Sequence, residues 1–324
     1  MLSKKYKPWH LLPFAYKYAK LRLTGRPVLV NFEVTMRCNA GCAFCDYWKT
    51  SPEAKATELK SFADAARRFA PMMITFTGGE PLLRADLAEI VAEVRRAVPY
   101  TYLALLTHGG MLTLTRALAL WHAGLDQLNI SLDYLDARHD VARKIPGLAL
   151  KIMSLVPRLT AEGMTVRFNT VIKNDNLEEI MPIVRHAQGA GAGVNLSFYT
   201  DFKNGNTDHL VRNPQFGRID ALVSELLAYK RSRRGVISNS DWYLSQLPRY
   251  IRGEISERCR AGATTIHVDP SGHVRRCPDF PADGHWTEYS RYEPIACNRC
   301  YYACRGEAQA PLTLSRFQDL LARS

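Results

Sequence analysis

Eight cysteines carry the first chemical signal in this 324-residue chain. Three of them, in Cys38-Asn-Ala-Gly-Cys42-Ala-Phe-Cys45, sit on one short stretch, and no cysteine lies between Cys45 and Cys259. The other five are Cys259, Cys277, Cys297, Cys300 and Cys304. Each cysteine therefore belongs to one of two groups. In a large cytosolic protein, tight thiol clusters bind metal more often than they form disulfides. Three thiolates on one loop wrap one face of a cubic iron–sulfur cluster and leave one iron open to a further ligand. The same logic separates catalytic from structural zinc. The competing reading is a zinc knuckle that lacks its fourth ligand, with no His or Cys close behind Cys45 to supply it.

In the second group, Cys259 and Cys277 flank two short strands, 264–268 and 273–276, joined by the turn Asp269-Pro-Ser-Gly272. The hairpin brings its flanking thiols together, and Cys297-Asn-Arg-Cys300-Tyr-Tyr-Ala-Cys304 supplies a second binding loop. Taken alone, this arrangement is equally a zinc ribbon.

Other chemistry-bearing residues fall at strand ends. In Thr77-Gly78-Gly79-Glu80-Pro81, two glycines permit close backbone approach to a ligand, and the carboxylate can accept from an ammonium. Ser131, in Ser131-Leu132-Asp133, and Asn169, in Asn169-Thr170-Val171-Ile172, are further candidates, although such residues at strand ends more often serve turns or caps. His108, in Thr107-His108-Gly109-Gly110, is a candidate catalytic group whose alternative is a structural histidine.

The elements that must position these residues alternate. Strands are expected at 28–35, 72–77, 101–107, 127–132, 165–171 and 194–199, with amphipathic helices at 60–69, 85–97, 113–123, 148–162 and 177–190. Such alternation implies parallel strands with right-handed crossovers, here a partial (β/α)6 barrel of the TIM type with a small C-terminal cysteine-rich hairpin module. Chemistry then sits at the C-terminal strand ends. The expected organisation is a basic, aromatic lead-in over 1–27, helical from about 14 to 24 because of Pro8 and Pro13. The barrel follows over 28–200 and a helical bridge over 201–258. That bridge holds helices at 216–230 and 241–251 and the basic knot 230–234, read as a solvated helix end. The cysteine module and a closing helix at 312–322 complete the chain over 259–324.

The CxxxCxxC spacing, with Phe44 directly before the third cysteine, resembles the signature of the radical S-adenosylmethionine (SAM) superfamily. The resemblance implies that Cys38, Cys42 and Cys45 hold a [4Fe–4S] cluster whose fourth iron is chelated by the amine and carboxylate of S-adenosylmethionine. It implies that Phe44 lines the adenine pocket. The segment at 77–81 resembles the family's Gly-Gly-Glu motif, so that Gly78, Gly79 and Glu80 would hold the cofactor's amino group. Ser131 would contact its carboxylate or ribose, Asn169 the ribose, and the edge formed by Val171 and Ile172 the adenine. The run from Ser131 through His139, Asp140 and Arg143 to Gly147 resembles a segment of the branch that modifies peptides and carries auxiliary clusters. The C-terminal cysteines, with Gly272 five residues before Cys277, resemble its SPASM/twitch extension. Five cysteines are too few for the two auxiliary clusters of the longer version. One auxiliary [4Fe–4S] cluster is implied, on Cys259, Cys277 and two of Cys297, Cys300 and Cys304. The resemblance spans 28–304. It implies reductive cleavage of S-adenosylmethionine to a 5′-deoxyadenosyl radical, hydrogen abstraction from a C–H bond, and an electron donor such as flavodoxin or ferredoxin.

Composition sets the outer bounds. With 47% hydrophobic and 23% charged residues the chain has the profile of a soluble globular enzyme, and no run approaches the roughly 18 apolar residues of a membrane span. No secretory signal is read, and a cytoplasmic location is expected. The leading substrate is a ribosomal peptide or natural-product precursor, modified oxidatively or by bond formation. The net charge of +12 and the lead-in motivate an alternative, a lipid or isoprenoid handled at the membrane surface. A zinc-dependent nucleic-acid binder using the knot at 230–234 is the third reading, with nucleic acid the least expected partner.

Overall fold

The computed structural model describes residues 11–49, 59–255, 257–311, 313 and 315. Lys4, Lys5, Lys7 and Trp9 of the lead-in, and nearly all of the helix expected at 312–322, lie outside the described residues. The chain enters through α1 (Leu11–Leu23), then alternates: β1 (Leu29–Thr35), α2 (Leu59–Phe69), β2 (Met73–Gly78), α3 (Leu87–Ala97), β3 (Tyr102–Thr107), α4 (Leu114–His122) and β4 (Gln127–Ser131). After α5 (Ala137–Arg143) and α6 (Leu148–Ala161) come β5 (Val166–Ile172), α7 (Ile180–Gly189) and β6 (Gly193–Phe198). The six strands pair in parallel in the order β6-β5-β4-β3-β2-β1, the open barrel that the alternation requires.

Parallel strands covered by helices usually read as continuous apolar runs. Here they alternate. Phe32, Phe76, Leu105, Leu128 and Phe168 belong to the buried core, and Phe32 meets Phe62 of α2 at 5.4 Å. The intervening positions are polar: Asn31 stands opposite Thr75 and His267, and Asn129 opposite Arg167. Because successive side chains point to opposite faces, the barrel has an apolar outer face under its helices and a polar inner face.

Three expectations are corrected. The first helix starts at Leu11 and not near 14, because Pro13 falls in the first turn, where no intrahelical N–H donor is needed. The helix α5 was not anticipated; Asp136 caps it by accepting from Arg138 N, and Lys144 ends it in the left-handed region (φ 54°). In the basic knot, Lys230 is not solvated: it is buried at the end of α8 (Phe216–Ser232), with Nζ 2.6 Å from Asp241 Oδ1 at the start of α9 (Asp241–Ile251).

The hairpin is built onto the barrel. Its first strand, β7 (Thr265–Val268), lies parallel against β1, and β8 (His273–Arg275) and β9 (Gly284–His285) follow antiparallel. The last helix, α10 (Ala303–Gln309), returns to α9, where Gly306 packs on the ring of Tyr243, itself stacked on Tyr301 at 5.0 Å. No helix among the described residues is long and apolar enough to cross a membrane.

A Cβ at Gly306 would stand 2.1 Å from Tyr243 Cδ2. Gly306→Ala is therefore expected to destabilise the protein by about 1–3 kcal/mol. The loss is read as a lowered midpoint in denaturant unfolding.

Candidate active site

The first cysteine loop follows β1 at the C-terminal end of the sheet, where Cys42 is buried and Cys38 and Cys45 are half-buried. Protein contacts hold it on several sides. Asn39 Oδ1 meets His108 Nε2 at 2.9 Å, Gly41 N donates to Arg143 O, and Trp48 Nε1 donates to Cys42 O at 3.0 Å. Asn204 and Asn206 donate their side-chain amides to Ala43 O, so the loop after β6 clasps the cysteine loop. Burial pushes the Cys38 thiol up to about 11, against the pull of the Ala40 backbone N–H. It raises Cys42 as well, against the opposing charge of Arg143. Buried thiols of this kind become thiolates when a metal supplies the compensating charge, so the donor set fits a metal cluster.

The two glycines answer first to chain packing. Gly79 N donates to Thr35 O and Glu80 N to Arg37 O, both at 2.8 Å. A Cβ at Gly78 would stand 2.1 Å from Thr35 O, and one at Gly79 2.0 Å from Arg37 O. The pair lets β2 press against the backbone leading into Cys38.

Glu80 is fully buried at that junction. Its Oε1 accepts from Thr107 Oγ1 (2.7 Å) and Leu82 N (3.0 Å), and its Oε2 from His108 N (2.9 Å). His108 Nε2 also lies 3.2 Å from Oε2, so all of the carboxylate's roughly four acceptor positions are approached. His108 Nδ1 accepts from Gly110 N, which places the ring proton on Nε2, toward Asn39. Burial lowers the His108 pKa, outweighing the nearby Glu80. The histidine thus sits neutral with both nitrogens engaged, a positioning group between Glu80 and the cysteine loop.

Ser131, Asn169 and Asn195 stand side by side on β4, β5 and β6, on the inner face. Asn169 Oδ1 accepts from Asn195 Nδ2 at 2.7 Å. Ile172 lies on the opposite face from Asn169, fully buried in the core, so Val171 is the inner-face residue of that pair. Phe44 lies among cations, with the Arg143 guanidinium 4.9 Å and Lys173 Nζ 5.3 Å from its ring centre.

Of those cations, Lys173 was not read from the sequence, and Arg143 only as part of a family-like segment, without its place beside Cys42. Arg143 is buried at the end of α5, bound to the fully buried Asp133 (Nη2 to Oδ2, 2.6 Å), with Nη1 3.9 Å from Cys42 Sγ. Burial works against the Asp133 carboxylate, yet Arg143, His139 and Lys173 together lower its pKa. Asp133 Oδ1 also accepts from Val171 N, which ties the β4 and β5 ends together. The visible signal was a lone carboxylate directly after a strand of buried residues, with an arginine ten positions on.

At the hairpin, Cys259, Cys277, Cys300 and Cys304 line a single pocket, with His267 and Arg305 in its walls. Cys297 does not line it; its carbonyl accepts from Cys259 N at 2.7 Å and its sulfur from Arg299 N. Burial pushes the Cys300 thiol up to about 12. Arg305 donates to Cys300 O and to Glu257 O, holding the last cysteine loop. The thiols surround a space and do not converge on one point: among the described residues no three His, Cys, Asp or Glu stand close enough to hold a single metal ion.

A family model described as "Radical SAM superfamily" matches residues 32–187. The chain is 29% identical over 262 residues to the PqqA peptide cyclase of Methylocella silvestris, covering 78% of this chain and 68% of that one. It is 31% identical over 177 residues to the AdoMet-dependent heme synthase of Methanosarcina barkeri, where it spans only half of the relative's length. In fold it resembles Streptococcus suis SuiB bound to S-adenosylmethionine, with a TM-score of 0.66 at 16% identity, covering 87% of this chain and 70% of SuiB.

Two outcomes test the buried charges. Asp133→Asn strands Arg143 without a counter-charge and is expected to cost about 3–5 kcal/mol in denaturant unfolding, most of it recovered in Asp133→Asn/Arg143→Met. His139 is buried, its Nδ1 accepting from Asp133 N, and burial followed by Arg143 lowers its pKa to about 4. The unfolded chain takes up this proton near pH 6.5, well before the folded one does. Stability should therefore fall as pH drops from about 6.5 toward 4, and His139→Gln should flatten that part of the profile.

Proposed function

This chain belongs to the radical SAM superfamily, and from that premise we propose that it is a peptide-modifying radical SAM enzyme with one auxiliary [4Fe–4S] cluster. The observation that carries this reading is the cysteine loop. Cys38, Cys42 and Cys45 offer three thiolates at the C-terminal strand ends, so one iron of a [4Fe–4S] cluster is left for S-adenosylmethionine. Bound together and reduced by a one-electron donor such as flavodoxin or ferredoxin, cluster and cofactor supply a 5′-deoxyadenosyl radical able to take hydrogen from a C–H bond.

The chain's own residues do the rest. Glu80, fixed at the end of β2 by Thr107, Leu82 and His108, presents the carboxylate that takes an ammonium. Arg143 sets a fixed positive charge 3.9 Å from Cys42 Sγ, next to where the anionic cluster would lie. Ser131 and Asn169 offer polar contacts on the inner face, and Phe44 and Val171 the apolar ones. His108 keeps its proton on Nε2 toward Asn39 and so holds the loop. The clasp of Asn204 and Asn206 on Ala43 O ties the loop after β6 to the cysteine loop.

The second cysteine group supports the auxiliary cluster. Four thiols around one cavity suit a polynuclear cluster better than a single zinc ion, whose four ligands must all approach to about 2.3 Å. The quartet is Cys259, Cys277, Cys300 and Cys304, with Cys297 outside it. A peptide substrate is favoured by the likeness to two PqqA peptide cyclases, over 262 and 273 residues.

Anaerobically reconstituted protein should hold on the order of eight irons with matching sulfide and form 5′-deoxyadenosine from S-adenosylmethionine on reduction. The Cys38→Ala/Cys42→Ala/Cys45→Ala variant should form none. Zinc in place of iron, or product from the triple variant, would overturn the reading. Cys300→Ala and Cys304→Ala should each lose about half of the iron, whereas Cys297→Ala should keep it; equal losses in all three would remove the quartet.

A further inference from the structure

The helix α1 has two apolar sides. Its inner side packs on the barrel: Phe14 and Leu21 are buried, and Phe14 meets Tyr100 edge-on at 6.4 Å. Lys17 pins it there, donating to Tyr100 O (3.0 Å) and Thr101 Oγ1 (2.7 Å). The outer side repeats the pattern: Leu12, Tyr16 and Leu23 are 77%, 72% and 87% exposed. With 3.6 residues per turn, Leu12, Tyr16, Ala19 and Leu23 fall within about 60° of one another, diametrically opposite Phe14 and Leu21. Lys20 and Arg22, both exposed, border that stripe on either side.

A helix packed by one face has no structural need for an apolar stripe on the other. Single exposed apolar residues are ordinary, but an aligned row between two cations is the pattern of a helix lying in a membrane interface. The charge of this end of the chain agrees. No Asp or Glu precedes Glu33, whereas Lys4, Lys5, Lys7, Lys17, Lys20, Arg22 and Arg26 all do. We propose that the outer face of α1 docks on an anionic phospholipid surface: Leu12, Tyr16 and Leu23 enter the interface while Lys20 and Arg22 meet the headgroups.

The placement of α1 decides the orientation. Tyr100 and Thr101 immediately precede β3, so α1 covers the N-terminal strand ends, and His108 lies at the other end of that strand. The six residues of β3 put about 20 Å between the end that α1 covers and the end beside the cysteine loop. The site then opens away from the bilayer. Docking would hold the enzyme at the surface without delivering a bilayer lipid to its site, which separates membrane contact from a lipid substrate.

The test is flotation of the full-length, cluster-loaded protein with phosphatidylcholine vesicles, with and without roughly a quarter phosphatidylglycerol. The protein should float with the anionic vesicles only, and less of it as salt rises from about 50 to about 500 mM. Lys20→Ala/Arg22→Ala should weaken binding on the order of thirtyfold, about fivefold per cation near an anionic leaflet. Leu12→Ser/Leu23→Ser should lose binding with both cations intact, at unchanged melting temperature and S-adenosylmethionine cleavage. Failure to bind anionic vesicles overturns the proposal, as does undiminished binding by the leucine variant. It falls equally if that variant dissolves a dimer present without lipid, since the stripe would then be an interface between copies.

Discussion

One buried carboxylate sets where the two cysteine groups stand. Glu33, midway along β1 and fully buried, receives Tyr47 OH at 2.9 Å, lies 3.3 Å from His267 Nδ1 and pairs with Arg275. Tyr47 comes two residues after Cys45, and Arg275 two residues before Cys277. A carboxylate in that position costs several kcal/mol unless its partners are all in place. Beside the ladder between β1 and β7, one side chain thus ties the strand, the first cysteine loop and the hairpin together. Lys203 extends the link, 4.0 Å from the Tyr47 ring and 3.7 Å from Asp279 Oδ1.

The same inner face explains why the barrel was legible. Residues 29–35 alternate between the helix-packed core and the polar interior, so strand periodicity survives where a doubly covered sheet would have hidden it. The cysteine groups and Gly78-Gly79-Glu80 were readable because their spacing is local. What stayed hidden depends on contacts between distant residues. The pairing of β7 with β1 joins positions more than two hundred residues apart, and nothing in 265–268 distinguishes a barrel strand from a free hairpin. The arginine beside Cys42 comes from a short helix with few apolar residues, which hydrophobic periodicity cannot detect. Lys230 looked solvated because its partner, Asp241, lies in another helix. Which of Val171 and Ile172 turns inward stayed open because a strand end, read alone, does not say which side faces the interior.

The two thiol sites are held in different ways, and the difference matches what each would have to do. The first loop is fixed from outside, by Asn39 on His108, Gly41 on Arg143, Trp48 on Cys42 O and the Asn204–Asn206 clasp. None of those bonds uses a sulfur, so the loop keeps its shape whether or not the fourth iron carries a ligand, as a site that must bind and release its cofactor requires. The second site takes its four thiols from the approach to β7, the end of the hairpin and two points near α10. A metal cluster there would join segments otherwise held by Arg305 and by the backbone bonds from Cys259 N to Cys297 O and from Ile295 N to Ala261 O. Binding free energy at such a site is folding free energy. On the proposed function, the first group would be a preformed cradle for its cluster, and the second a closure completed only when metal binds.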